Sequence, residues 1–172
     1  MNLFETINAR QSVRAYQAKP VEPEKLEAVL NALNQAPSAG NLQAYQVYLV
    51  EEPQLRRGLA KAAFDQGFIV QAPVALVFCA VAARAARYGR RGAELYCVQD
   101  ATTAVAYAQL AATALGLATC WVGAFDDDAV ARAVNLPKGE RPVAILPLGY
   151  ASESPPRTPR RSLADLVRKL GA

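Results

Sequence analysis

The sequence of 172 residues contains no histidine. This absence excludes a Ser-His-Asp or Cys-His hydrolase, a histidine-ligated metal site and acid–base catalysis by an imidazole. The three cysteines, Cys79, Cys97 and Cys120, are odd in number and widely spaced, so a disulfide framework and a CxxC zinc or redox motif are both excluded. If the chain is an enzyme, we therefore expect a cofactor, and not a metal, to carry its chemistry in a reducing compartment.

Charged residues are missing from Ala101 to Phe125, a run long enough to cross a bilayer. Threonine and glutamine interrupt this run, Gly116 divides it, and alanine is its main constituent, all of which weaken membrane insertion. A central buried helix packed against a partner subunit is therefore favoured over a membrane span. The residues Met1 to Arg14 are charged and lack the apolar run of a secretory signal, so we expect a cytoplasmic protein.

The composition is that of one compact globular domain, with 52% hydrophobic and 20% charged residues. Residues 1–172 are therefore predicted to form a single domain, in which residues 151–172 are a C-terminal tail that wraps a partner subunit. Basic residues collect near the N-terminus, at Arg84–Arg91 and at Arg157–Arg161. No stretch combines a dense basic run with aromatic residues, so this distribution favours a small anionic ligand over nucleic acid.

Capping residues and hydrophobic periodicity predict the secondary structure. Helices are expected at five places: from Asn2 to about Arg10, from Pro23 to before Pro37, from Pro53 to about Phe64, from Ala93 to Leu115, and from Asp126 to before Pro137. Strands are expected at Tyr45–Val50, Pro73–Val81, Ala118–Val122 and Pro142–Tyr150.

The run Pro73–Val81 is nearly all apolar and β-branched, which is typical of a central strand covered on both faces. Between the elements, Arg84–Gly92 is predicted to be an exposed excursion, and Leu163–Leu170 a short amphipathic end. Helices outnumber strands without alternating regularly with them, so we favour an α+β fold, a three-layer α/β/α sandwich, over a doubly wound one. The chain also lacks a GxGxxG motif and a P-loop.

The segment Arg10-Gln11-Ser12-Val13-Arg14 places two guanidinium groups and a hydroxyl where the first helix ends. Arginine offers paired planar donors and serine a short third one, a combination that suits a phosphate. The same arginines would also complement a helix C-terminus in solvent without binding any ligand. This motif alone leaves both interpretations open.

Three further segments have features of a ligand site. The loop Pro37–Gln43 has small residues that let the backbone approach a flat ligand, although a helix cap followed by a turn also explains its Pro and Gly. The segment Thr119–Phe125 leaves a strand at a glycine, where a main-chain N–H can be exposed, but its aromatic residues also suit a core. The run Arg157–Leu163 is equally compatible with a solvated basic tail.

The order of these segments resembles that of the nitroreductase family. The chain has R-x-S-x-R near its start, A-P-S-A-x-N-x-Q about 25 residues later and an A-P-V strand. A long alanine-rich helix then ends in A-L-G-L-x-T-C-W-V-G-A-F, followed by L-P-L-G-Y and a final P-R-R-S-L. Each motif is loose, but their joint order is specific, and the resemblance extends from Leu3 to Val167.

The resemblance implies that FMN lies in a homodimer interface. The residues implied to hold its phosphate are Arg10, Ser12, Arg14, Arg160 and Arg161, with Gln11 reaching the ribityl chain or the ring. The other subunit would contribute the loop that contains Pro37, Ser38, Ala39, Asn41 and Gln43. The residues implied to face the isoalloxazine ring are Val122, Gly123 and Ala124, with a backbone N–H near flavin N5.

The chain departs from the family pattern in two places. It has Ala44 and Tyr45 where many members have Pro and Trp, and it lacks the Asn/Lys pair often found before the A-P strand. Gln66 is the nearest polar substitute for that pair, as a contact to the flavin pyrimidine. Aromatic side chains are expected to form the walls of the acceptor pocket, namely Phe68, Tyr88 and Tyr96, although a place in the core or at an interface would also suit them.

The resemblance further implies that hydride passes from NAD(P)H to flavin N5 and then to a small-molecule acceptor, such as a nitroaromatic or a quinone, in a ping-pong cycle. Such a cycle needs no side-chain base, which agrees with the absence of histidine. Two alternatives remain open. One is another flavin reaction on the same fold, namely dehydrogenation, dehalogenation or flavin fragmentation, and the other is a flavin-binding or basic interaction protein without turnover.

Overall fold

The computed structural model describes residues 1–171. Its helices and strands follow one another as α1 Leu3–Ala9, α2 Pro23–Asn34, β1 Tyr45–Val50, α3 Pro53–Ala62, α4 Phe68–Gln71, β2 Val74–Val81, α5 Gly89–Arg91, α6 Cys97–Ala114, β3 Ala118–Thr119, α7 Asp127–Ala133, β4 Glu140–Gly149 and α8 Leu163–Leu166. Tighter 3₁₀ turns form at Ala39–Asn41 and Ala82–Tyr88, and a π-helical turn at Gly92–Tyr96 leads into α6.

The four strands form one antiparallel sheet in the order β1-β2-β4-β3. Strand β2 is central and buried along its length up to Ala80, as the apolar run predicted. Alternate residues of β2 point to opposite faces, so Leu76 and Phe78 pack with α2 and α6, whereas Ala75 and Val77 pack with α3, α4 and α7. Helices therefore cover both faces of the sheet, which confirms the predicted three-layer α+β sandwich.

Helix α6 is the central helix of the fold and contacts α2, β2 and β4. Its buried face consists mainly of small side chains, including Ala101, Ala104, Ala108 and Ala112. Small side chains let the helix lie close to its neighbours, which explains how an uncharged segment is accommodated inside one domain. Within residues 1–171 no helix is both long and apolar enough to span a membrane.

The strand predicted from Ala118 to Val122 is shorter than expected. Only Ala118–Thr119 pairs regularly with β4, although Val122 and Ile145 still exchange two backbone hydrogen bonds of 2.9 and 3.0 Å. The same register places Pro147 opposite Cys120. Proline has no N–H to donate, so the ladder is interrupted there and resumes at Val122.

Two other segments also differ from the sequence-based expectation. The excursion Arg84–Gly92 is largely exposed but helical, and it is anchored by the buried Ala85 and Gly92. A Cβ at Gly92 would lie 2.1 Å from the Ala85 carbonyl oxygen, so only glycine permits this approach. At the C-terminal end, the predicted amphipathic segment Leu163–Leu170 forms a helix only at Leu163–Leu166, and its leucines are exposed.

We expect Phe78→Ala to lower the free energy of unfolding by about 3–5 kcal/mol, because Phe78 is fully buried between β2 and α6 and its loss leaves a cavity. Leu49→Ala is the matched control, since Leu49 is 42% exposed on the neighbouring strand and its truncation should cost clearly less. Urea unfolding followed by circular dichroism measures both. Equal losses in the two variants would contradict the assigned core.

Candidate functional site

The N-terminal arginine segment is held in an extended form beside β3. The Arg10 N–H donates to the Thr6 carbonyl and ends α1, after which the backbone turns to an extended conformation. Ser12 bridges to Thr119, and the Val13 N–H donates to the Thr119 carbonyl at 3.0 Å. Val13 and Tyr16 are buried, so the segment is fixed while Arg10, Ser12 and Arg14 border an open cavity.

This cavity has a volume of about 570 Å³ and a basic lining. Four guanidinium groups line it, two from the N-terminal segment and two from the tail, namely Arg10, Arg14, Arg157 and Arg160. Among residues 1–171 no carboxylate is part of this lining, although the Glu153 carboxylate accepts the Arg14 N–H beside it. Arg160 therefore lies with the N-terminal arginines, as predicted. Arg161 does not line the cavity, because its Nη2 donates to the Asp165 carbonyl in α8. Arg157 was not among the residues expected to hold the phosphate, but it lines the cavity, and its Nη2 donates to the Asn8 carbonyl at 3.0 Å.

Two side chains beside the cavity report on its environment. Gln11 Oε1 is buried and has no hydrogen-bond partner among the described residues, a state that costs roughly 1–3 kcal/mol. Burial raises the pKa of the Cys120 thiol, and the nearby Arg14 only partly offsets this rise. Cys120 is therefore protonated at neutral pH and is no nucleophile, whereas Gln11 offers an unused acceptor to a ligand that carries hydroxyl groups.

A second group of predicted residues adjoins the arginine segment. Val122 is buried and paired with β4, whereas Gly123 and Ala124 are exposed. Gln66 reaches this segment, because its Nε2 donates to the Ala124 carbonyl at 3.1 Å. We call the arginine segment, Arg160, Gln66 and Val122–Ala124 together the arginine half-site. Phe68 lies close by on α4, where it is half-buried against the core.

The loop Pro37–Gln43 lies elsewhere, over the start of α6. Its turn needs positive φ at Gly40, Asn41 and Gln43, and the Gln43 N–H donates to Ser38 Oγ at 3.0 Å. The buried Asp100 carboxylate accepts the N–H groups of Ala39 at 2.9 Å and Ala44 at 3.2 Å. These contacts fix the loop, while the Gln43 side chain donates to Asn34 Oδ1.

Asp100 was not foreseen as a site residue. It is the last charged residue before the uncharged run, and an acid at the start of a buried helix is a signal that could have identified it. Tyr88 and Tyr96 pack edge to face near this loop, at 5.4 Å between ring centroids. Arg87 joins them to the loop through a 3.2 Å hydrogen bond to the Gly40 carbonyl. We call the loop with these two tyrosines the loop half-site.

The two half-sites are separated within one chain. Asp100 holds the loop at one end of α6, whereas Gln11 and Val13 lie beside Thr113 near the other end. The helical rise between Asp100 and Thr113 is about 20 Å. In addition, Val122 belongs to the core on the α3 and α7 face of the sheet, while the loop packs with α2 and α6 on the opposite face. One chain therefore cannot bring both half-sites to a single flat ligand.

We expect Asp100→Ala to lower the free energy of unfolding by about 2–4 kcal/mol, because it leaves two N–H groups of the loop without an acceptor. Asp100→Asn keeps one acceptor oxygen and should lose less. Thermal and urea unfolding measure the cost. A loss below about 0.5 kcal/mol in Asp100→Ala, as is usual for surface substitutions, would show that the carboxylate does not hold the loop.

Comparison with known proteins identifies the family. The sequence model described as "Nitroreductase family" matches residues 7–69 and 65–150. An NADH dehydrogenase of Thermus thermophilus is 30% identical over 84% of this chain and 84% of its own length. The FMN reductase [NAD(P)H] of Bacillus subtilis is 30% identical over 92% of this chain and 69% of its own. The structure of B. megaterium NfrA2 superposes with a TM-score of 0.90 at 28% identity, covering 98% of this chain and 74% of that chain. The chain thus belongs to the nitroreductase family.

Proposed function

We propose that this protein is an FMN-dependent NAD(P)H oxidoreductase that works as a homodimer and reduces flat electrophilic acceptors, such as nitroaromatics and quinones, in a ping-pong cycle. The observation that carries the proposal is the cavity that four arginines line, to which no described residue adds a carboxylate, next to an unused amide acceptor. The relatives named FMN reductase and NADH dehydrogenase support the same cofactor and electron donor.

The residues of the cavity fit one terminal phosphate. Arg10, Arg14 and Arg160 provide charge-assisted donors, and Ser12 provides a hydroxyl, which together match the acceptor oxygens of a phosphate. A ribityl hydroxyl would satisfy Gln11 Oε1 and remove the cost of its burial. The sequence has no dinucleotide fingerprint for a second phosphate, which favours FMN over FAD.

The separation of the two half-sites supports a shared site. The arginine half-site contains the residues expected beside the ring, and the loop half-site contains the residues expected to cover it from the partner. In the proposed dimer a second copy of the chain, with α6 running in the opposite direction, would bring the two together. The exposed Tyr107 on α6, the apolar residues of α1 and the leucines of α8 provide surface for that contact.

When bound, FMN would supply the hydride chemistry at its N5. The chain's own residues bind and orient: the arginines neutralise the phosphate, and Gly123 lacks a side chain, so the peptide groups of Gly123 and Ala124 remain accessible. Gln66 fixes that segment through the Ala124 carbonyl. Because no side chain here acts as an acid or base, the rate enhancement rests on positioning and fixed dipoles.

The domain organisation, the cellular location and the partners of the chain follow from the same proposal. Residues 1–172 act as one domain. In the tail at residues 151–172, the part up to Arg160 folds back along the N-terminal segment of its own chain, so the exposed part around α8 is the part that wraps the partner. All three cysteines are free and buried, which suits a reducing, cytoplasmic environment. No nucleic acid or membrane enters the proposed function.

We expect the protein to purify yellow with FMN, and Arg14→Ala to weaken FMN binding about ten- to hundredfold, because a charge-assisted hydrogen bond is worth about 1.5–3 kcal/mol. Arg132→Ala on α7 removes the same charge at an exposed position outside the cavity and should leave the affinity unchanged. Fluorescence titration of the apoproteins gives the affinities. Extraction of FAD, or equal affinities in both variants, would refute the assignment.

Complementation tests the shared site. Arg14→Ala damages the arginine half-site, and Asn41→Gly removes the loop amide while suiting its φ of 56°. The two variants are refolded together at an FMN concentration at which neither retains flavin alone. Random pairing in a dimer should then restore about a quarter of the sites, because each mixed dimer has one intact site. No recovery, or a monomer in sedimentation equilibrium that keeps its flavin, would show that each chain binds FMN alone.

A further inference from the structure

The excursion between β2 and α6 is strongly basic. Residues 82–96 contain Arg84, Arg87, Arg90 and Arg91 but only one acid, Glu94. Glu94 pairs with Arg90 at 2.9 Å, and this pair is exposed to solvent. Within residues 1–171 the other three arginines form no ion pair with a carboxylate. The proposed function uses none of these four charges.

Contacts with the loop and with tyrosines hold these arginines in place. Arg84 Nη1 donates to the Gln43 carbonyl at 3.4 Å, and Arg87 lies so close to Gly40 that a Cβ there would be 1.9 Å from its Nη2. Arg87 and Arg91 lie over the rings of Tyr88 and Tyr96, at 4.8 and 5.5 Å from the ring centroids. Stacking on an aromatic ring reduces the freedom of a guanidinium group.

The arginines keep donors for a ligand. Arg91 uses its Nε for the Tyr96 hydroxyl at 3.1 Å, and its two Nη groups have no acceptor among the described residues. Arg87 uses only Nη2. The two free Nη groups of Arg91 form the fork that binds a carboxylate or a phosphate through two hydrogen bonds, and Arg87 can add a donor from its free Nη1. Among residues 1–171, the acid that is hydrogen-bonded to the loop Pro37–Gln43 is Asp100, which is buried and engaged by backbone N–H groups.

We propose that Arg87 and Arg91 select an anionic group, a phosphate or a carboxylate, on the molecule that exchanges hydride with the flavin. This inference rests on the proposed function, in which the loop half-site borders the flavin ring. The anion has two possible sources. It is either the 2′-phosphate of NADPH or a carboxylate on the electron acceptor, and both present oxygen atoms to the same guanidinium groups.

The test compares kcat/KM ratios in the FMN-loaded enzyme, so that the intrinsic reactivity of each substrate cancels between variants. One arm measures NADPH against NADH with an uncharged quinone as the acceptor, and the other measures 4-nitrobenzoate against 4-nitrobenzamide. Arg91→Gln removes the charge without breaking a contact to the loop, and Arg87→Gln also removes the bond to Gly40. Arg90→Gln is the matched control, because Glu94 already occupies that arginine.

We expect at least one ratio to fall about three- to tenfold in Arg91→Gln and Arg87→Gln and to change less than about twofold in Arg90→Gln. Arg91→Lys should recover part of the preference, since it keeps the charge but not the fork. In the wild type, raising the ionic strength from about 0.01 to 0.15 M should weaken the preference, because the Debye length falls from about 30 to 8 Å.

Two other outcomes would overturn the inference. If the kcat/KM ratios are unchanged in both Arg87→Gln and Arg91→Gln, these arginines do not contact the substrate. If the ratios fall as much in Arg90→Gln as in the other two variants, the effect is only a long-range one of net charge. Reduction of the uncharged quinone in the wild type by either nucleotide, NADH or NADPH, separates the two proposals. If this activity is present and the ratios do not change, the inference alone fails, whereas its absence contradicts the proposed function as well.

Discussion

The close packing of helix α6 against the sheet is the constraint on which the rest of the structure depends. Its alanine face lies on β2 and β4, and α2 packs against it on the same face of the sheet, so the helix has one fixed position and direction. The loop half-site is attached to its start through Asp100, and the arginine segment lies near its end beside Thr119. The length of α6 therefore sets the distance between the two groups of predicted site residues. A substitution that enlarged an alanine of this face would displace both groups together.

Much of the fold could be predicted from the sequence because local signals agreed with the tertiary structure. The Asn2–Glu5 capping box, Pro23 at a helix start and the Asp126 cap all occur as expected. The shortened strand β3 could not be predicted, because its interruption depends on Pro147, which comes opposite Cys120 only through the register of the sheet. The helical form of the excursion was also missed, since it depends on the contact between Gly92 and Ala85.

The predicted site residues likewise divide into those that a local motif could identify and those that depend on the tertiary structure. Arg10, Ser12 and Arg14 are close in sequence and belong to one fixed segment, so a local motif was sufficient to group them. Arg160 joins them only because the tail folds back, and the same fold takes Arg161 to α8 instead. The Asp100 carboxylate holds the loop by accepting hydrogen bonds from two backbone N–H groups, and such a role leaves no motif in the sequence. That these arginines and the other predicted site residues contact a ligand stays a prediction.

The guanidinium groups of the arginine half-site and those of the excursion beside the loop half-site differ in their exposure, which suits them to different ligands. In the arginine half-site the guanidinium groups of Arg10, Arg14 and Arg160 surround one cavity, which suits a ligand that stays bound through several turnovers. In the excursion Arg87 and Arg91 lie at the surface, where solvent and salt weaken each contact and a ligand can leave quickly. The proposed ping-pong cycle would need both properties, because its cofactor must remain while donor and acceptor alternate in one place. Neither kind of binding requires a histidine, since both depend on fixed positive charge and not on a group that titrates near neutral pH.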